Sequence, residues 1–203
     1  MTEKELLQQL TNINAIITNS HIIYTSGKHG SAYINKDAIY PHTALTSHLC
    51  LRIAKAFEKE GVEVVLAPVI GGVILSQWIA YHLSQLTQKE GLGVYAEKSE
   101  GEFIIKRGYD QLLPYKKVLV VEDVITTGGS IKKVIDIAKQ MQATLVGVGA
   151  ICNRGGISAV DLDIPQIYSL INIKLDAWDK EACELCQKHI PINTSVGKGK
   201  TQG

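Results

Sequence analysis

One segment constrains the fold more than any other: an apolar strand, two adjacent acids, a turn of small and hydroxyl residues, and an amphipathic helix. Four apolar residues begin at Val118, and Glu122 and Asp123 follow them directly. A Thr-Thr-Gly-Gly-Ser turn comes next, and apolar spacing predicts a helix over residues 130–141. A strand that is apolar on both faces is typical of the interior of a parallel sheet. The segment therefore predicts one strand–helix unit of an α/β protein.

The rest of the chain alternates between strand and helix patterns in the same way. Strands are predicted over residues 32–35, 62–67, 93–96, 102–106, 118–121, 144–151 and 167–171. Helices are predicted over roughly the first dozen residues, from 41 to 61, from 72 to 86, over 130–141 and after Asp179. This alternation predicts an α/β fold with a mostly parallel central sheet and helices on both faces. No linker or repeat interrupts it, so we expect one domain over residues 1–203, with a mobile tail over 194–203.

Composition excludes several function classes. Twenty-one Lys and Arg residues face 20 Asp and Glu residues, and the net charge of +1 argues against a nucleic-acid or anionic-lipid partner. The most apolar run is well short of the roughly 20 residues that span a bilayer. Residues 1–10 lack a secretory pattern, and four cysteines in 203 residues do not form a disulfide framework. We expect a cytoplasmic globular protein without a membrane partner.

The cysteines near the end of the chain raise the question of a metal. Cys183, Cys186 and His189 have a CxxCxxH spacing, but a structural zinc site usually needs four ligands. Unless Cys50 or Cys152 folds beside them, we expect buried free thiols on a short helix.

The turn after Asp123 has the chemistry of a phosphate site. Its small residues allow backbone N–H groups to point inward at a helix start, where the helix dipole favours an anion. Thr126, Thr127 and Ser130 add hydroxyl donors. Glu122 and Asp123 would repel a phosphate, so they should face a ribose diol or Mg²⁺. The alternative is a plain capped turn whose acids face water.

The same segment carries a family resemblance. Residues 120–130, VVEDVITTGGS, resemble the phosphoribosyl pyrophosphate (PRPP) motif of type I phosphoribosyltransferases, in the form found in orotate phosphoribosyltransferases. Four other segments also resemble that family. They are the N-terminal base-binding segment (26–29 and 33–35), the pyrophosphate loop (67–72), the short catalytic hairpin of one bacterial branch (97–98 and 106–109), and the orotate-carboxylate segment (153–156). Residues 183–186 with Ile190 and Pro191 resemble the C-terminus of that branch.

The resemblance implies a reaction, a cofactor and an assembly. The family is a group of glycosyltransferases that transfer ribose 5-phosphate from PRPP to orotate in de novo pyrimidine biosynthesis, with Mg²⁺. It acts as a homodimer whose catalytic loops complete the neighbouring subunit's site. Residues 1–40 and the C-terminal segment are expected to form a small hood over the base pocket.

The resemblance also assigns roles to particular residues. Catalytic roles fall to Asp123, Glu122, Lys98 and Arg107. The PRPP set is Glu122, Asp123, Val124, Ile125, Thr126, Thr127, Gly128, Gly129, Ser130, Ile70, Gly71 and Gly72. The orotate set is Arg154, Thr126, Lys28 and Tyr33. Mg²⁺ is expected to be held mainly by PRPP, with Glu122 and Asp123 as candidate ligands.

The hairpin departs from the better-known form of the family. That form has several closely spaced basic residues and a His in a longer loop, whereas residues 97–108 contain only Lys98, Lys106 and Arg107 as cations. The group that stabilises the leaving pyrophosphate is therefore left open.

Two other functions remain as alternatives. One is a phosphoribosyltransferase for a purine or another base, and the other is a PRPP-sensing regulator without turnover. Arg154 favours orotate, because a guanidinium pairs well with a carboxylate.

Overall fold

The strands and helices follow the alternation of the sequence, and the computed structural model describes residues 3–24, 26–173 and 175–197. The strands are β1 (Ile16–Ile17), β2 (Ile22–Ile23), β3 (His29–Gly30), β4 (Tyr33–Ile34), β5 (Val64–Pro68), β6 (Leu92–Ser99), β7 (Glu102–Ile104), β8 (Lys117–Ile125), β9 (Thr144–Asn153) and β10 (Ile167–Asn172). The helices are α1 (Glu3–Asn12), α2 (Thr43–Ala56), α3 (Gly71–Thr87), α4 (Gly129–Gln140), α5 (Ala159–Leu162) and α6 (Glu184–Gln187). Short 3₁₀ turns cover Lys36–Ala38, Tyr109–Leu112 and Lys180–Ala182.

The chain divides into two compact units. We call residues 42–173 the sheet unit and residues 1–41 with 174–203 the terminal unit. Within the described ranges, no helix is both long enough and apolar enough to cross a membrane.

The sheet unit contains a six-stranded sheet in the order β10-β9-β8-β5-β6-β7. Neighbouring strands are parallel except β6 and β7, which form an antiparallel hairpin. The predicted mostly parallel sheet is confirmed. After β5 the chain proceeds to β6 on one side, and after β8 it proceeds to β9 on the other. Ligands of open α/β sheets bind at the carboxyl ends of the strands where this direction reverses, which here lies between β5 and β8.

Helices cover both faces of the sheet, as predicted. On one face the buried side of α4 (Ile131, Val134, Ile135 and Ala138) packs in a common core with Val118 and Val120 of β8. These α4 residues recur at helical spacing, which is why the helix buries one side only. On the other face α3 contacts β5, β6 and β8. Gly93 of β6 permits the close approach there, because a Cβ at this position would lie 3.1 Å from the Ser76 carbonyl oxygen.

Two strands continue three or more residues past their predicted ends. β8 continues past residue 121 to Ile125, because Val124 and Ile125 still pair with Cys152 and Asn153 of β9. β6 continues to Ser99 instead of ending at residue 96, and only a two-residue turn joins it to β7. Both residues of that turn have positive φ (52° and 86°), the geometry of a tight hairpin turn whose twist matches the strands.

The terminal unit consists of short hairpins and loops. β1 pairs with β4, and β2 pairs with β3, both antiparallel. Ile22, Tyr24 and Val196 form a small buried cluster with Ile17 and Tyr33 against it. Of the predicted mobile tail, residues 194–197 are described and Val196 is only 6% exposed, whereas residues 198–203 lie outside the described ranges.

Candidate active site

The loop after β5 opens the first side of the candidate site. Val69 donates its N–H to the Ala96 carbonyl oxygen of β6 at 3.0 Å, and the Val69–Ile70 peptide bond is cis. Gly71 begins α3, and the Ile70 side chain is 82% exposed. A Cβ on Gly72 would lie 2.7 Å from Ala67 Cβ, so glycine allows the helix start to pack closely on β5. The predicted pyrophosphate residues thus lie at the start of a long helix, where backbone N–H groups have no partner within the helix.

The two acids lie in the last part of β8 and point to opposite faces of the sheet. Glu122 shares the α4 face with Val120, and Asp123 alternates to the other face. Asp123 is 4% exposed, and its Oδ1 accepts a 2.7 Å hydrogen bond from the Val124 N–H. The Asp123 N–H in turn donates to Glu122 Oε1 at 3.2 Å. The backbone therefore fixes both carboxylates at the carboxyl end of a buried strand.

The turn from Thr126 to Gly128 connects these acids to α4. Gly128 has φ +76°, a left-handed conformation that other residues rarely adopt, and its carbonyl accepts the Lys132 N–H at 2.9 Å. Thr127 Oγ1 accepts the Gly129 N–H at 3.4 Å, and both Thr126 and Thr127 are exposed. The turn therefore places hydroxyl residues directly before the N–H groups of the first α4 turn, an arrangement typical of anion sites.

Backbone hydrogen bonds hold the loop after β9 beside this turn. Arg154 and Gly155 both donate their N–H groups to the Ile125 carbonyl, at 3.0 and 3.2 Å. The Asn153 side chain closes the loop by exchanging two hydrogen bonds with the Ile157 backbone. A Cβ on Gly155 would overlap the Thr126 carbonyl group, so only glycine permits this approach. The half-buried Arg154 is thus held beside the end of β8.

The thiol of Cys152 lies near the same end of β9 but does not ionise readily. Burial raises its pKa to about 11, although the charge of Arg154 acts in the opposite direction. The thiol is therefore neutral at physiological pH and acts as a small apolar side chain.

The β6–β7 hairpin carries the predicted loop cations. Lys98 lies inside β6, not in a loop, and its Nζ is 5.6 Å from the centre of the Phe103 ring across the hairpin. Arg107 pairs with Glu97, which raises the pKa of the guanidinium mainly through their hydrogen bond. At the tip, Lys133 of α4 donates to the Gly101 carbonyl and to Glu102. Lys98 and Arg107 are both exposed.

The structure brings most of the predicted site residues to one edge of the sheet unit. The residues from Ile70 to Gly72, from Glu122 to Ser130 and Arg154 all follow or end adjacent parallel strands. Lys28 and Tyr33 belong to the terminal unit. There Lys28 Nζ lies 3.4 Å from Asp179 Oδ1, and Tyr33 of β4 packs beside the Ile22 cluster.

Comparison with known proteins identifies the family. Residues 37–180 match the phosphoribosyl transferase domain. An orotate phosphoribosyltransferase of Desulforamulus reducens is 32% identical over 191 residues, covering 94% of this chain and 95% of the relative. An orotate phosphoribosyltransferase of Thermotoga maritima is 34% identical over 194 residues, covering 96% of this chain and 99% of the relative. The chain belongs to the orotate phosphoribosyltransferase family.

Solved structures of phosphoribosyltransferases named for different bases share the fold of this chain. The crystal structure of orotate phosphoribosyltransferase from Aeropyrum pernix aligns with a TM-score of 0.67 at 22% identity, covering 83% of this chain and 94% of that one. An adenine phosphoribosyltransferase from Thermoanaerobacter pseudethanolicus aligns with a TM-score of 0.62 at 18% identity, covering 85% and 100%. Since one fold serves both bases, base choice has to come from individual side chains.

The C-terminal cysteines have partners that the sequence analysis missed. Cys183 and Cys186 lie beside His21 and His29, and the exposed His189 is not part of this group. Cys50 on α2 and Cys152 on β9 belong to the sheet unit. The sequence does contain a second pair of residues that can ligate a metal, since His21 and His29 lie on either side of a Gly-containing turn.

Proposed function

We propose that this chain transfers ribose 5-phosphate from PRPP to orotate, giving orotidine 5′-monophosphate and pyrophosphate, in de novo pyrimidine biosynthesis. The observation that carries the proposal is that backbone hydrogen bonds hold the loop of Arg154 beside the end of β8, where Glu122, Asp123 and the hydroxyl turn lie. The full-length relatives named orotate phosphoribosyltransferase support the same assignment. Because PRPP and orotate are charged metabolites, we place the reaction in the cytoplasm.

The turn and the acids bind different parts of the ribose 5-phosphate. Thr126, Thr127, Ser130 and the N–H groups at the start of α4 bind the 5-phosphate, since these donors favour a dianion. Glu122 and Asp123 accept hydrogen bonds from the ribose hydroxyls. Orotate N1 forms a bond to the anomeric carbon as the bond to pyrophosphate breaks. The ribose becomes more positive during this step, so two fixed carboxylates stabilise it more than they stabilise the starting sugar.

The donor set fits Mg²⁺ bound together with PRPP. Mg²⁺ prefers oxygen ligands and is usually held by one or two carboxylates together with substrate phosphates. Glu122 and Asp123 supply such carboxylates at the strand end, with Asp123 oriented by the Val124 N–H. When bound, Mg²⁺ neutralises charge on the pyrophosphate.

Further charge on the pyrophosphate is balanced by groups of the sheet unit. The loop at Ile70, Gly71 and Gly72 offers backbone N–H donors at the start of α3. Lys98 on β6 and Arg107, just after the end of β7, are the cations we assign to the closing hairpin, and both side chains are exposed. Lys28 and Tyr33 are further proposed base contacts.

The assay that tests the activity compares bases. With PRPP and Mg²⁺, we expect steady-state absorbance to show consumption of orotate but not of adenine, hypoxanthine, guanine, xanthine or uracil. Turnover of a purine would keep the PRPP site and overturn the role of Arg154. Saturable PRPP binding without turnover of any base would indicate a sensor.

A homodimer is the proposed assembly, with the exposed aromatic side of α3 as its contact. Tyr81 is 51% exposed, and its ring lies edge-on to Trp78 at 5.9 Å, while Trp78 stacks on His82 at 5.8 Å. Exposed aromatic patches of this kind are typical of interface cores.

Sedimentation should give twice the mass of the 22.2 kDa chain. Tyr81→Glu should shift the protein to the mass of one chain, because it buries a charge at the contact. Lys89→Glu, at an exposed position past the end of the same helix, serves as the control. A wild-type protein with the mass of a single chain would contradict the proposal.

A further inference from the structure

Two histidines and two cysteines of the terminal unit converge on one point. The ligand atoms of His21, His29, Cys183 and Cys186 all lie within 4.8 Å of one another. His21, His29 and Cys183 are buried, Cys186 is half-buried, and neither cysteine forms a disulfide. The four residues lie outside the segment 37–180 that matches the phosphoribosyl transferase domain. They therefore need a physical explanation of their own.

The distances between the ligand atoms approach those of a tetrahedral metal site. Cys183 Sγ and Cys186 Sγ lie 3.6 and 3.7 Å from His21 Nε2, and Cys186 Sγ lies 3.3 Å from His29 Nδ1. Zinc–sulfur bonds of about 2.3 Å and zinc–nitrogen bonds of about 2.05 Å at tetrahedral angles separate N and S by about 3.6 Å. The two imidazole nitrogens are 2.8 Å apart, closer than the about 3.3 Å of such a site, so they separate slightly when an ion enters.

The ring nitrogen of His21 on the side away from the cluster has the hydrogen-bond partner that a ligating histidine requires. Its Nδ1 lies 2.7 Å from the Ile190 carbonyl oxygen, which can only accept a hydrogen bond. The proton is therefore on Nδ1, and the Nε2 lone pair faces the cluster. Metal-ligating histidines almost always donate their second ring N–H to such an acceptor.

The cluster joins parts of the chain that are far apart in sequence. His21 directly precedes β2 and His29 lies in β3, whereas Cys183 and Cys186 lie at the start of α6, more than 150 residues later. Among the residues that the structure describes, strand pairing between these segments consists of two single bridges, His21 with Ile192 and His29 with Trp178. Units with two-residue strands and a small apolar cluster commonly need a metal or a disulfide for stability.

We propose that His21, His29, Cys183 and Cys186 bind one structural Zn²⁺ ion that fastens the N-terminal hairpin to the C-terminal segment. Two thiolates and two imidazoles are a ligand set typical of zinc, and four protein ligands leave no position for a substrate. On binding, each thiol loses one proton to solvent, and neutral His29 carries its proton on Nε2 so that Nδ1 can ligate. The inference does not depend on which base the enzyme uses.

Metal analysis of the full chain tests the site directly. We expect inductively coupled plasma mass spectrometry to find about one zinc ion per chain in protein purified without a chelator. After removal of zinc, titration with Co²⁺ should give the intense visible bands of tetrahedral cobalt together with thiolate-to-cobalt charge transfer. Re-addition of zinc should raise Tm by roughly 5 °C or more.

Matched variants separate a zinc site from general loss of structure. Cys183→Ser and Cys186→Ser should lose most of the bound zinc, whereas Cys186→His should retain a fourth ligand and keep it. His189→Asn is the control, since His189 completes the CxxCxxH spacing but is exposed, and Asn tolerates its φ of +53°. No charge-transfer band in the wild-type protein, a Cys183–Cys186 disulfide found by peptide mapping, or equal zinc loss in His189→Asn would overturn the proposal.

Discussion

Replacing Asp123 with Asn is expected to lower turnover at saturating PRPP and orotate by about 10²–10³-fold. The carboxylate is buried at the end of β8, so in the proposed reaction its charge would act strongly on the ribose as positive charge develops there. Asn has the same shape, and its Oδ1 can still accept the Val124 N–H that now donates to Asp123. The change therefore removes the charge and leaves the strand end in place. Steady-state kinetics with both substrates saturating measure the effect.

The control for this variant removes the same charge elsewhere in the unit. Asp136 lies on the exposed side of α4, so Asp136→Asn should leave turnover unchanged. Equal melting temperatures of wild type and Asp123→Asn would exclude unfolding as the cause of the loss. An unaltered rate for Asp123→Asn at saturating PRPP would remove the residue from the mechanism.

The sequence predicted the sheet unit well because its elements are long and periodic. The apolar run after Lys117 and the one-sided helix after Gly128 each bury a continuous surface, and such patterns dominate local structure. The positions of the strand ends were predicted less accurately. Val124 and Ile125 follow two acids, so their pairing with β9 depends on a neighbouring strand that the local sequence does not reveal.

The candidate site was predicted in part for the same reason. The residues of the hydroxyl turn are contiguous, so a single segment identified them. Arg154 depended on its position after a strand, which the structure confirms. The role of Gly155 was not visible, because it arises from the approach of its backbone to Thr126, 29 positions earlier in the chain.

In the terminal unit, α1, the strand around residues 33–34 and the helical turns after Asp179 were predicted, whereas β1, β2 and β3 were missed because strands of two residues carry no periodic signal. β2 and β3 form because tertiary contacts hold them, among them the Tyr24 hydroxyl bonded to the Ala32 carbonyl at 2.7 Å. The histidine–cysteine cluster was missed because spacing rules examine neighbours in sequence. His189 fits the spacing but is exposed and not part of the cluster, and the two histidines that do converge come from the opposite end of the chain.

The second large effect is expected at Arg154. Arg154→Ala should lower kcat/KM for orotate by about 10²–10³-fold, because it removes the half-buried guanidinium that we propose pairs with the orotate carboxylate. The KM for PRPP should change little, since the turn after β8 retains its donors. The backbone N–H of residue 154 still donates to Ile125 in the variant, so the loop stays fastened. Initial rates over a matrix of both substrate concentrations separate the two parameters.

Arg154→Lys distinguishes recognition of the carboxylate from simple charge. Lysine keeps the positive charge but cannot form the paired hydrogen bonds of a guanidinium, so its kcat/KM should lie between those of Arg and Ala. Lys132→Ala, which removes an exposed cation from α4, should have no comparable effect. Should Arg154→Ala instead raise the KM for PRPP and leave orotate unaffected, Arg154 would belong to the phosphate side. Lys28, a proposed base contact, would then be the next cation to test for the preference for a carboxylated pyrimidine.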